Sequence, residues 1–547
     1  MADPAFTRSS AAAPNRRLRR LGPVFALLTG LGLGGPALAQ VDVQPLAAPD
    51  LFSTGGGHSD LPPDLWRGSS GALARQVIPE LTTHPLTPAG AALGRHLLDA
   101  GANGPEGAGN DPELAGARAE ALLQLGDVAA AETIASASQN LPQLPAMSRV
   151  VAQADLIAGQ DDKACAVGDG LAMGREGAFW LRLRAYCQAR AGQAAPAQLT
   201  LELAEQQEHR PDFERLMTAL LAGPQPKAKI QPTLDDALDF AISRKLGLDW
   251  LAAMDAAPAS IAVAVAKDAA QPPAARLAAA ARAARLGIAT PEAYSALTPA
   301  PNALPAADTP GPLGEANLVA LATSTNDLTL KESAIIMLLR RAKDGPEFQA
   351  LSRLVEPAIV QLMNAKPVLR QPFMFAMAAA STGDIASARA ARAQVGQGGQ
   401  SPAPVDLALL DALIVVATDP VDPTVMRGLE AAAAGAEGAA KARTSGALAL
   451  LGGFVPLGPQ ARFEAADGDP GPALSPAARL LVLEQAAEQG RMGDTALYVL
   501  ATGVDAGPHG PPPGERALII RALRQVHLDA DARAFAVEGL VALQAHP

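Results

Sequence analysis

Three stretches decide the fold: AEALLQLGDVAAA (119–131), AQADLIAGQDDKA (152–164) and AYCQARAGQAAPA (185–197). Each starts and ends on alanine and carries an inner glycine followed by Asp or Gln: Gly126-Asp127, Gly159-Gln160 and Gly192-Gln193. The glycines stand 33 residues apart, twice. Ala119, Ala152 and Ala185 lie seven residues before them, and Ala131, Ala164 and Ala197 five after. The same frame fits Gly383-Asp384, with Ala376 before and Ala388 after, and fits in part at Gly493-Asp494, where Ala486 matches but Tyr498 replaces the second alanine. Alanine is abundant, so one match means little; eight matches at fixed offsets around four glycines define a repeat. A period of this length is that of a helix–turn–helix array.

Composition agrees. Hydrophobic residues make up 49% of 547 and aromatics only 3%. Alanine is the best helix former, whereas β-sandwiches and barrels draw on β-branched and aromatic residues. Charged residues are 18%, too few for a disordered chain with this apolar periodicity. Helical segments are expected from near Leu73 to the end, including PPAARLAAAARAARLGI (272–288) and GERALIIRALRQVHLDADARAFAVEGLVAL (514–543). Pro/Gly-rich breaks fall at 101–112, 223–232, 298–312, 396–404 and 505–515, since proline lacks a donor and glycine costs entropy. The expected organisation is a signal peptide (1–39), an extended leader (40–72), a helical array (73–222), a linker (223–233) and a second array with Pro/Gly breaks (234–547).

The frame resembles the tetratricopeptide repeat, a helical hairpin of about 34 residues whose small residues mark the helix crossing. The resemblance covers about 113–205. Leu122 holds one of that family's pattern positions, while Asp155 and Gln188 depart from it. It implies an all-α α-solenoid of antiparallel helix pairs, tetratricopeptide-like in the N-terminal half, with a surface that binds protein partners.

The N-terminus reads RRLRR (16–20), then an apolar, glycine-rich run and Ala37-Leu38-Ala39. This is the pattern of a secretory signal cleaved after Ala39; retention as an anchor is the alternative. A Gram-negative cell would place the mature chain in the periplasm. The signal carries five arginines and Asp3, so removing its +4 from a chain of −11 leaves −15. That charge argues against nucleic-acid partners and against anionic lipid.

Only two cysteines occur, Cys165 and Cys187. Gly174 and Gly177 mark a turn between two helices, and each cysteine lies 11 residues from its centre near Glu176. Residues equidistant from a hairpin turn sit at the same height, as a disulfide requires. An exported chain meets an oxidising compartment, and a loop of this length would stabilise by roughly 3 kcal/mol. Two buried free thiols or a reactive thiol are the alternatives. No histidine is near enough in sequence to complete a zinc site or activate a nucleophile.

Other motifs are weak. STGGGHSD (53–60) lacks the Lys-Ser/Thr ending of a phosphate loop. Asp161-Asp162 and Asp235-Asp236 with Asp239 read as acidic helix starts, with Thr233 placed as a cap. G-x-S-x-G, H-E-x-x-H and the dinucleotide fingerprint are absent. Lytic transglycosylases also carry helical solenoids, but of their motifs only a lone Glu-Ser occurs, in Lys331-Glu332-Ser333-Ala334. Trp180, beside Phe179, reads as core, and Trp66 as a pin for the leader. No catalytic residue, metal site or cofactor is expected. The functional expectation is a periplasmic scaffold or adaptor for protein partners in the envelope. A cell-wall glycan enzyme or its regulator, and a ligand receptor with a groove near 223–232, are the alternatives.

Overall fold

A computed structural model describes residues 52–53, 59–223, 230–397, 402–455 and 476–544. The expected signal peptide, residues 40–51 and 54–58 of the leader, and residues 224–229 of the linker lie outside them. Among the described residues the protein is all-α: 25 α-helices run from Gly71 to Ala542, without a strand, and pack in neighbouring pairs.

The alanine–glycine frame has a direct structural meaning. Helix Pro112–Gln124 pairs with Val128–Ala137, Pro145–Ile157 with Asp161–Gly170, Ala178–Arg190 with Ala194–Gln207, and Pro372–Thr382 with Ile385–Arg392. Ala119, Ala152, Ala185 and Ala376 on the first helices are fully buried, as are Ala131, Ala164, Ala197 and Ala388 on the second. Between the helices, Gly126, Gly159, Gly192 and Gly383 have φ of +88°, +76°, +76° and +91°. That left-handed conformation favours glycine. The amide after each glycine donates to the carbonyl five residues back: Asp127 to Leu122, Gln160 to Asp155, Gln193 to Gln188 and Asp384 to Ala379. This bond satisfies an orphan carbonyl of the ending helix. Asp127 and Asp384 then cap the next helix, accepting from the amides of Ala130 and Ser387 at 3.1 Å.

The same helix stop recurs where the sequence pattern does not mark it. Leu248, Ile288 and Leu528 donate to Ser243, Ala283 and Leu523, after Gly247, Gly287 and His527, all with positive φ. At Gly493-Asp494 the frame is displaced. The turn glycine is Gly490, φ +68°, and Arg491 donates to Ala486. Gly493 lies in the following helix, Met492–Ala506. It is small because a Cβ there would stand 2.5 Å from Trp66.

Thr233 is not the cap its position suggests. Asp236 caps helix Ala237–Lys245 by accepting from the Asp239 amide at 2.9 Å, and the Thr233 hydroxyl is buried without a partner. Lys331 and Glu332 are buried rather than a solvated helix start. The Lys331 ammonium donates to the Ala322 carbonyl, and Glu332 pairs with Arg370 at 2.9 Å.

A linear array contacts only its neighbours; here the last helices return to the first. Met492–Ala506 packs on Gly71–Glu80 and Pro88–Leu98, while Asp529–Ala542 packs on Pro88–Leu98, Gly345–Asn364 and Pro404–Val416. Polar contacts sew this junction. Asp494 accepts from the amide of Ser70, and its own amide donates to the Ser69 hydroxyl. Glu538 holds Arg516 at 2.7 Å and the Ala89 amide at 3.0 Å, with both charged side chains buried. His96 bridges Asp531 at 3.0 Å and Asp60 at 2.7 Å. Phe52 and Trp66 meet edge to face at 6.3 Å and are both buried. Burying two such rings away from water stabilises this end of the chain by several kcal/mol, on the order of 1.5–3 each.

Candidate functional site

The first helices of successive hairpins share one wall of a long cleft. Pro112–Gln124 contributes Glu120 and Gln124, Pro145–Ile157 contributes Arg149 and Gln153, and Ala178–Arg190 contributes Phe179, Trp180 and Arg182. The repeat explains the alignment, because each hairpin presents the same face of its first helix. Glu120 pairs with Arg149 and accepts from Gln153 at 3.1 Å. Arg182 pairs with Glu208 at 3.0 Å. The wall is therefore a ladder of polar side chains running from one repeat to the next. Trp180 is core and rim at once, 6% exposed and lining the cleft.

This part of the cleft has a volume of about 820 Å³. It runs into a second part of about 810 Å³, since both are lined by Thr82, Thr83, Gln124 and Asp235. The second part draws on distant pieces of chain: Arg95, Arg282 and Arg285, Lys343, and His509. Volumes of this size suit a small ligand or a short peptide segment.

Residues flanking the expected linker close one end. Arg210 binds Asp236 and Asp239, the latter at 2.9 Å. Burial, then the neighbouring Asp236 carboxylate, pushes the Asp239 carboxyl up from its usual range. Two carboxylates share one guanidinium, and the fully buried one holds its proton more tightly. Arg244 reaches back to Asp161 at 2.6 Å and to the Leu156 carbonyl, so helices on either side of 224–229 are joined by charge.

The two cysteines are bonded, with Cα atoms 5.8 Å apart. Cys165 lies on Asp161–Gly170 and Cys187 on Ala178–Arg190, so the bond staples the second helix of one hairpin to the first helix of the next. Neither cysteine lines the cleft. The frame residues set the hairpins' spacing, and none of them lines the cleft either. Sequence reading named Phe179, Trp180, Asp235 and Asp236 without placing them in a cleft, and it missed the polar ladder because each of its members is an ordinary polar residue on a helix. Their one signal is recurrence at a common helical face, as for Glu120, Arg149 and Arg182. Among the described residues Glu205, His209 and Glu214 lie within reach of one another, but His209 already bonds Glu205.

No protein-family model matches the chain, and no curated protein or solved structure is significantly similar to it. Among the described residues no helix is long and apolar enough to cross a membrane.

Proposed function

We propose that the protein is an exported, periplasmic scaffold or adaptor that holds a protein partner in the cleft lined by the first helices of its tetratricopeptide-like hairpins. The observation that carries this reading is the polar ladder of Glu120, Arg149, Gln153 and Arg182 along one wall, with Phe179 and Trp180 beside it. Evenly spaced polar groups next to aromatic rings suit an extended segment of another chain. The rings supply apolar area, and the polar groups fix register. The signal-like N-terminus and the disulfide both fit an oxidising compartment outside the cytoplasm.

The test is site-specific photocrosslinking in cells. A crosslinker at Glu113 or Gln153, both lining the cleft, should give a reproducible protein adduct. One at Val368, 91% exposed and away from the cleft, should not. Equal labelling at all three positions, or none at any, would overturn the proposal. Fractionation showing the chain in the cytoplasm with an intact N-terminus would overturn the exported location.

A further inference from the structure

The second part of the cleft carries two arginines, Arg95 and Arg282, that no described residue holds in an ion pair. Helix Pro273–Arg285, which carries Arg282, ends there, at Gly287, and two arginines from other helices, Arg95 and Arg353, converge on that turn. Arg95 donates to the carbonyls of Leu125, at 3.1 Å, and Gly287, at 3.5 Å. Arg282 spends only its Nε, on the Ala257 carbonyl at 3.0 Å, leaving both terminal nitrogens without a bond among the described residues. A Cβ built on Gly287 would stand 3.4 Å from Nη1 of Arg353 and 3.3 Å from Pro88, a cleft residue. Arg353 therefore lies just behind the wall, and it makes no ion pair with a described residue. Arg285 is different, since Glu315 and Glu347 hold it at 2.9 and 3.1 Å.

Burial lowers the proton affinity of Arg95, Arg282 and Arg353, which is the mark of charges removed from water without full compensation. The acidic residues nearby act on them only at a distance, Asp127 on Arg95, Asp255 on Arg282, and Glu538 and Glu356 on Arg353, without closing an ion pair. Glu347 is taken by Arg285 and by the Lys343 amide, and Asp344 caps its helix. Asp255 is exposed and forms no ion pair with Arg282 or any other described residue. A helix C-terminus does favour cations, but that accounts for Arg282 and Arg285, not for Arg95 and Arg353, which arrive from other helices.

We propose that this part of the cleft binds an oxyanion, a phosphate or carboxylate group on a small ligand, with Arg282 and Arg95 as its direct partners and Arg353 supplying field from behind. The terminal nitrogens of Arg282 form a free fork of N–H donors that matches the two oxygens of such a group, and Arg95, whose terminal nitrogens also serve Leu125 and Gly287, adds its charge beside it. Partial exclusion of water strengthens the attraction. The site adjoins the polar ladder at Gln124 but shares none of Glu120, Arg149, Gln153 and Arg182, and it does not depend on a protein partner being bound.

The experiment is calorimetric titration of the full chain with inorganic pyrophosphate and, separately, with citrate, backed by thermal melts. Binding by pyrophosphate alone assigns a phosphoryl ligand, by citrate alone a carboxylate, and by both the shared chemistry; each supports the proposal. Affinity should fall as salt rises. Arg282→Gln should weaken binding by about tenfold or more. Arg353 makes no hydrogen bond or ion pair with a described residue, so Arg353→Met should raise the melting temperature of the ligand-free protein while weakening binding several-fold. That opposite pair of effects separates a binding role from a structural one. Arg427→Gln, at an exposed site, is the control and should change neither. No binding of either probe below ~10 mM, binding untouched by both cleft variants, or an Arg353→Met protein with a lower melting temperature would overturn the proposal.

Discussion

Replacing Glu538 by alanine tests how the two ends of the chain are held together. The Glu538 carboxylate accepts from Arg516 Nη1 at 2.7 Å and from the Ala89 amide at 3.0 Å. The two charged side chains are 3% and 4% exposed. Alanine leaves Arg516 with the carbonyls of Pro511 and His509 but no counter-charge. Breaking a buried pair from one side costs ~3–5 kcal/mol. The Ala89 amide, a first-turn donor with no intrahelical partner, loses its only acceptor, at ~1–3 kcal/mol. The two overlap, because water entering for one solvates the other, so we expect a loss of ~4 kcal/mol in urea unfolding. Were the compact unit Ala48–Pro547 to melt in one transition, at ~2.1 cal/mol/K per residue its entropy would be on the order of 1 kcal/mol/K, so the same loss would move Tm by only ~4 °C. Hydrogen exchange at the Ala89 amide should accelerate well beyond that of neighbouring amides. The double variant Arg516→Met with Glu538→Met should recover most of the loss, since no charge is stranded. A single-variant cost below ~1 kcal/mol, or a double variant no better than the single, would refute this account.

Cys187→Ser should cost about 3 kcal/mol for a sequence separation of 22, and thiol titration of the denatured wild type without reductant should find no free thiol. Gly192→Ala should cost ~1 kcal/mol, because φ is +76° and a Cβ meets nothing within 4 Å. Gly126→Ala should cost more, because its Cβ would stand 2.6 Å from Ile288; equal costs in urea titrations would refute the packing difference. His527 adopts φ +65°, so His527→Gly should stabilise by a few tenths to ~1 kcal/mol, read as a rise in the urea midpoint. The bond to Asp531, then that to Asp60, raises His96 from 6.5 to about 9 against its burial. The folded state thus binds this proton more tightly than the unfolded chain. Its stabilisation is complete below pH 6.5 and is lost as pH rises through about 9; His96→Gln should flatten the stability–pH curve over that window.

Local rules were legible in the sequence and distant ones were not. The alanine–glycine frame could be read because its cause is local: a hairpin needs small residues at the crossing and a left-handed residue at the stop, at fixed offsets. The pairing of Cys165 with Cys187 followed from the same geometry. Stops at Gly247, Gly287 and Gly490 escaped because no Asp or Gln follows them, and the motif uses the backbone of the next residue, not its side chain. His527 escaped because it is not glycine. The closure of the ends was invisible for a different reason. Asp494, Glu538, His96 and Arg516 each sit in helical segments as ordinary charged residues, and each has a partner between 22 and 449 residues away. A charged residue on a helix reads as solvated unless its partner is known.

The closure also decides what the cleft can do. Its oxyanion part is walled by Thr83 from the turn after the first helix, Arg95 from the second, Arg282 from the middle, Lys343 from just before Gly345–Asn364, and His509 from the C-terminal segment. No two neighbouring hairpins could bring these together; an open array would leave Arg95 and Arg282 on separate units. Pro88–Leu98 carries Arg95, and it is clamped by Asp529–Ala542 through His96 and Asp531 and, at its first turn, through Glu538. The distance between the cleft's cations is therefore set by contacts on the far side of the same helix. Perturbing Glu538 or His96 should loosen the oxyanion part while leaving the polar ladder of Glu120, Arg149 and Gln153 intact, because that ladder is built within consecutive repeats. In physical terms the repeat supplies one binding wall by local periodicity, and the return of the chain supplies the other by long-range closure.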